Sequence, residues 1–225
     1  MFDKDGTLVD FHAMWAGWAR ELGSRLEVVA RRPVSGDVFA AIGFDPSSGR
    51  IPAGGPLATS TMAGLRDLVE AVLRRWCPRP ADARLVVETA WFIPDPVTSA
   101  VPLADLPSVF GRLHQRGTRI AVATNDDRAP TLRTLAAFGV DGLVDAIAAA
   151  DDGFAVKPAA DAVRSLAAEL GVRPERTAVV GDLPVDLAMG RAAGAGLVIG
   201  VLSGLGSRDD LASADRIITS VAELP

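Results

Sequence analysis

From residue 101 onward the hydrophobic and polar positions follow two alternating rhythms. Leu103, Leu106, Val109, Phe110 and Leu113 recur at three- and four-residue steps, the spacing of one helical face, and Gly117 stands where such a helix would stop. Residues 119–123 then read as a short buried strand, ending at Thr124 and Asn125. The cycle repeats with Leu132, Leu135 and Phe138, then Gly139, then the apolar stretch 143–150. A third helical face comprises Ala162, Val163, Leu166, Ala167 and Leu170, stops at Gly171, and precedes a strand at 177–180 that ends in Gly181 and Asp182. A fourth helix is predicted over 186–193, with Gly194 as its stop and a strand over 197–202.

Strands separated by helices of about ten residues need crossover connections, which predicts an α/β fold: a doubly wound, Rossmann-like parallel sheet with helices on both faces. The polar clusters all follow strands. Ligands of such sheets bind outside the carboxyl ends of the strands, so the clusters should converge on one crevice.

Residues 11–100 break this rhythm. Trp15, Trp18 and Leu22 mark one helical period, and Met62, Leu65, Leu68, Val69, Val72, Leu73 and Trp76 mark another. Residues 32–56 between them are rich in Gly, Pro and Ser and read as a long surface loop. The predicted organisation is a core of residues 1–10 and 101–225, with a helical insertion at 11–100.

Composition narrows the function classes. With 49% hydrophobic and 23% charged residues the chain is of ordinary globular type, neither disordered nor fibrous. A net charge of −5 without basic clusters offers a polyanion nothing to follow, so nucleic acid is not an expected partner. Cys77 is the single cysteine, which excludes an internal disulfide, and the charged N-terminal residues do not resemble a signal peptide. No stretch is apolar enough for a membrane span; the lone cysteine points to a reducing cytoplasm, and a monomer or homodimer is expected. Lysine occurs only at Lys4 and Lys157.

The segment Phe2-Asp3-Lys4-Asp5-Gly6-Thr7-Leu8 places two carboxylates two residues apart, on one side of a strand end. A calcium loop opening at Asp3 would need an acidic residue where Met14 stands. Taken with Thr124-Asn125 after a strand, Lys157-Pro158 before a helix, and Gly181-Asp182 with Asp186, the segment resembles the four ordered motifs of the haloacid dehalogenase superfamily of phosphatases.

That resemblance implies that Asp3 is the nucleophile that takes the phosphoryl group and Asp5 the acid and base. It further implies Mg²⁺ held by Asp3, Asp182, the Asp5 carbonyl and Asp186, with Thr124, Asn125 and Lys157 on the phosphoryl oxygens. The charges agree: a divalent cation and the Lys157 ammonium offset Asp3, Asp182 and Asp186, so that a phosphate dianion becomes tolerable. The insertion resembles the helical cap of the phosphoglycolate phosphatase subgroup, which implies a small phosphorylated metabolite as substrate, with Arg20 and Arg50 as readers of its leaving group. A sugar-phosphate mutase and a non-catalytic phospho-ligand module are the alternatives.

His12 and His114 read as surface or packing residues, Trp15, Trp18 and Trp76 as core of the insertion, and Gly204-Leu-Gly206 as no dinucleotide fingerprint. Family members carry several apolar residues before the nucleophile, whereas only Met1 and Phe2 precede Asp3. Either the chain continues upstream, or neighbouring strands compensate for a short central one.

Overall fold

A computed structural model describes all residues 1–225. The chain divides into two compact units, Met1–Phe11 with Pro96–Pro225, and His12–Asp95. In chain order the helices are α1 (Phe11–Ala30), α2 (Ser35–Ile42), α3 (Pro56–Thr59), α4 (Met62–Leu73), α5 (Pro80–Ala90), α6 (Pro96–Ser99), α7 (Leu106–Gln115), α8 (Arg128–Ala137), α9 (Asp161–Glu169) and α10 (Pro184–Ala193). The strands are β1 (Ala121–Ala123), β2 (Ala146–Ala148), β3 (Ala178–Gly181), β4 (Leu197–Val201) and β5 (Arg216–Ile218). No helix is long and apolar enough to cross a membrane.

All strand pairs are parallel: β1 with β2, and β3 with β4 and β5. Phe2 joins the two groups by bridging Val122 on one side and Val180 on the other. Four backbone hydrogen bonds of 2.8–2.9 Å link Met1–Asp3 to the two flanking strands, two donated by Phe2 and Asp3 and two accepted by Met1 and Phe2. The central strand is therefore very short, and it is held from both sides. Side chains alternate across this sheet as the pleat requires. Val122 and Val180 enter the core formed with Phe110 and Leu113 of α7 and Leu135 of α8, whereas Ala121, Ala123 and Val179 face Val163 and Leu166 of α9 and Met189 of α10. Alanines on that second face let helix and sheet pack closely.

The helical unit corrects one sequence expectation. Residues 32–56 are not a long loop, because α2 and the start of α3 lie within them. Val34, Val38 and Ile42 are buried at four-residue spacing, one helical stripe, and Gly43 ends α2 with φ +76°, a backbone state that glycine adopts without strain. Phe44 and Ile51 beyond it are buried too. Trp15 and Trp18 are core, with the Trp18 indole N–H donating to the Phe92 carbonyl at 3.0 Å. Trp76 is only half-buried and donates to Asp37 Oδ2 at 2.9 Å.

Candidate active site

The carboxyl ends of Phe2, β1, β3 and β4 share one rim of the sheet, and the polar residues that follow them meet there. Asp3 follows Phe2, Thr124 follows β1, and Asp182 follows β3. Asp186 comes from the first turn of α10, where its Oδ2 accepts the Leu183 N–H at 3.0 Å and closes the helix start. Carboxylate oxygens of Asp3, Asp182 and Asp186 lie within 4.8 Å of one another, and all three residues are buried.

One cation sits among them. Lys157 Nζ donates to Asp3 Oδ1 and, at 2.8 Å, to Asp186 Oδ1. Asp182 Oδ2 accepts the Leu205 N–H at 2.9 Å, and Thr7 Oγ1 lies 3.5 Å from Asp182 Oδ1. Asp3 Oδ2 alone has no hydrogen-bond partner although it is buried. An orphan anionic oxygen beside two further carboxylates is what a hard divalent cation would satisfy, so the donor set fits such a metal.

The charges leave their mark on the acids. Burial pushes the Asp3 carboxyl up to about 7; Lys157 opposes this, while Asp186 and Asp5 add to it. Burial, then Asp3 and Asp186, likewise raise Asp182 well above the usual carboxylate range. Burial works to lower the Lys157 ammonium, but Asp186 and Asp3 outweigh it and hold it above its ordinary value. Three acids with one lysine are under-neutralised, a fold strained toward a proton or a cation.

Thr124 is buried, and its Oγ1 accepts the Asp126 N–H at 3.0 Å, leaving the hydroxyl proton free to donate. Thr124, Asn125 and Lys157 line one small cavity. Asp5 lies in the turn after Asp3, where Thr7, Leu8 and Val9 all direct their N–H groups to the Lys4 carbonyl. Of the insertion's arginines, Arg20 spends its donors inside the helical unit, on the Ala16 and Pro46 carbonyls, and lies over the Phe44 ring. Arg50 is exposed. His12 is exposed and His114 makes a 2.9 Å contact with the Leu143 carbonyl.

Three features escaped the sequence reading. Lys4 and Asp126 form a buried ion pair beside Asp5, and the rarity of lysine in this chain was the available signal. The third is the loop after β4. Gly204 has no room for a side chain, because a Cβ there would overlap the Asp182 carboxylate; Ser203 Oγ also donates to the Gly6 carbonyl at 3.0 Å. Gly6 faces the same carboxylate, and its φ of +88° independently demands glycine. Gly204→Ala should therefore displace Asp182 and weaken divalent-cation binding by about 10–100-fold, as loss of support for a metal ligand typically does. Titrating the variant's melting temperature with Mg²⁺ checks this; parent-like affinity would refute it.

The chain is similar to several known proteins. A phosphoglycolate phosphatase of Rhodospirillum rubrum is 33% identical over 117 residues, 52% of this chain, and the match spans 48% of that protein's length, about half of it. A phosphoglycolate phosphatase of Aquifex aeolicus is 25% identical over 194 residues, 86% of this chain and 80% of its own. Among solved structures, a predicted phosphoglycolate phosphatase of Haemophilus somnus superposes with a TM-score of 0.67 at 18% identity, covering 99% of this chain and 93% of that one, a likeness of fold. Residues 1–194 match the model of the haloacid dehalogenase-like hydrolases, and the chain belongs to that family.

Proposed function

We propose that the chain is a Mg²⁺-dependent phosphomonoester hydrolase acting on a small phosphorylated metabolite, with phosphoglycolate as the first candidate because three of its relatives are named for it. The observation that carries the reading is Asp3: one oxygen held by Lys157, the other orphaned beside Asp182 and Asp186. Asp3, Asp182, Asp186 and the Asp5 carbonyl would hold the metal. When bound, it supplies positive charge that lets a phosphate dianion enter an acidic site.

The chain's own residues then divide the reaction. Asp3 attacks phosphorus, and the bond from phosphorus to the leaving oxygen breaks as Asp5 gives that oxygen its proton. Water next attacks the aspartyl-phosphate, passing a proton to Asp5, and the bond from phosphorus to Asp3 breaks. The products are an alcohol and inorganic phosphate, with both carboxyls restored. Thr124 Oγ1–H, the Asn125 N–H and Lys157 hold the phosphoryl oxygens. Arg50, exposed on the insertion, is the better candidate to read the leaving group, since Arg20 is engaged within its own unit.

The test is free phosphate released from a panel of phosphorylated metabolites, including phosphoglycolate, pyrophosphate and sugar phosphates, with Mg²⁺ and with chelator. Release that needs Mg²⁺ is the expected result. Isomerisation of a sugar phosphate without phosphate release would replace the hydrolase reading by a mutase, and binding without turnover would replace it by a ligand-binding module.

A further inference from the structure

The reaction as written uses Lys157 and leaves the other lysine, Lys4, without a role. Lys4 lies between the two motif carboxylates, yet its side chain is 0% exposed. An ammonium so enclosed needs anionic partners inside the protein. Its Nζ donates to Asp5 Oδ1 at 2.8 Å and lies at ion-pair distance from Asp5 Oδ2, 2.7 Å, and from Asp126 Oδ2, 3.3 Å. Asp126 is anchored in turn: its Oδ1 accepts the Asp127 N–H at 2.9 Å and its own N–H donates to Thr124 Oγ1 at 3.0 Å. Asp5 is the member that keeps contact with the outside, with 14% of its side chain exposed against 4% for Asp126.

An aspartate in a turn has two freely rotating side-chain angles, and proton transfer needs one orientation of them. A buried ammonium at ion-pair distance from both oxygens removes that freedom. The Asp126 charge offsets that of Lys4, so the fixture adds no net charge beside the phosphate. The geometry points to Lys4 and Asp126 as positioning residues that aim the Asp5 carboxyl at the leaving oxygen. This rests on the reading of Asp5 as acid and base given above.

A pair that only braced the loop would affect every substrate alike; one that aims a proton donor matters in proportion to how badly the leaving group needs a proton. Asp126→Asn and Lys4→Met, with Asp5→Asn as reference, are therefore compared in Mg²⁺ by single-turnover release from p-nitrophenyl phosphate and from the best alkyl phosphate of the panel. Asp126→Asn should slow the alkyl ester by about 10–100-fold, part of the 10²–10⁴ a general acid supplies, while the aryl ester changes by less than about threefold and KM by less than about twofold. A folded Lys4→Met should show the same selectivity; if it does not fold, Asp126→Asn decides alone. Equal losses on both esters, a loss confined to KM, an unchanged alkyl rate, or an Asp126→Asn chain that cannot fold would each overturn the inference. If Asp5→Asn shows no leaving-group preference, the acid–base reading falls and this inference with it; if only Asp126→Asn lacks the preference, the positioning role alone falls.

Discussion

Replacing Asp3 by Asn should abolish turnover while leaving the metal-free fold as stable as the parent or more so. The amide keeps the shape of the side chain but cannot form the acyl-phosphate that divides the reaction, so phosphate release should fall by at least about 10³-fold, equivalent to about 4 kcal/mol of barrier. Stability should move the other way. In the parent, burial and the neighbouring Asp186 and Asp5 hold the Asp3 carboxyl near 7 despite Lys157, against an unfolded value of about 3.9. Between those values the folded chain binds the extra proton, so this group's contribution to stability is complete below about pH 4 and is lost as pH rises through about 7. The Asn variant escapes that loss. Melting temperatures in chelator from pH 5 to 8 should show the variant gaining on the parent as pH rises, and a variant that keeps a tenth of parental turnover would end the assignment of Asp3 as nucleophile.

How much of this was legible beforehand depended on the range of the interaction. The parallel sheet followed from repeated helix and strand periods, because the alternation of Val122 with Ala121 and Ala123 and the four-residue steps of α7 are local patterns. The short strands made their edges harder to place: β1 begins at Ala121, two residues after the predicted strand starts, and β5 was not foreseen at all. In α2, dense Gly, Pro and Ser concealed the Val34, Val38 and Ile42 stripe; one helix face was enough to form it once burial favoured it. Asp3, Asp182, Asp186 and Lys157 were found by type and order, and the structure brings these four side chains together. Lys4 with Asp126, and Gly204 against Asp182, are contacts between residues far apart in sequence. Nothing in their local pattern signals a pairing that exists only after the strands are laid side by side.

The largest stability effect is expected at Lys157. Its side chain is 6% exposed and its Nζ is the only ammonium between Asp3 and Asp186, so Lys157→Met leaves three buried carboxylates without a cation. Breaking a buried ion pair from one side costs about 3–5 kcal/mol. For a chain of this size that corresponds to a melting temperature lower by roughly 6–20 °C. The folded-state affinity of Lys157 for its proton is raised, so its contribution is fully present below its unfolded value near 10.4 and is lost only in more alkaline solution. The deficit of the variant should instead depend on the acids. As pH falls through the raised range of Asp3 and Asp182, protons take over the neutralisation that Lys157 provided, and the gap between variant and parent should narrow. Mg²⁺ should narrow it as well, and should stabilise the variant by more than the parent, because a cation entering three carboxylates meets one more uncompensated charge than a cation entering three carboxylates and an ammonium. Adding Asp186→Asn to Lys157→Met should recover part of the lost stability, a coupling that independent sites would not show. The double variant should nevertheless remain inactive, since the phosphoryl oxygen assigned to Lys157 then has no cation to hold it. A Lys157→Met chain that melts with the parent, at every pH and with or without Mg²⁺, would mean that the carboxylates of the rim do not share one electrostatic site.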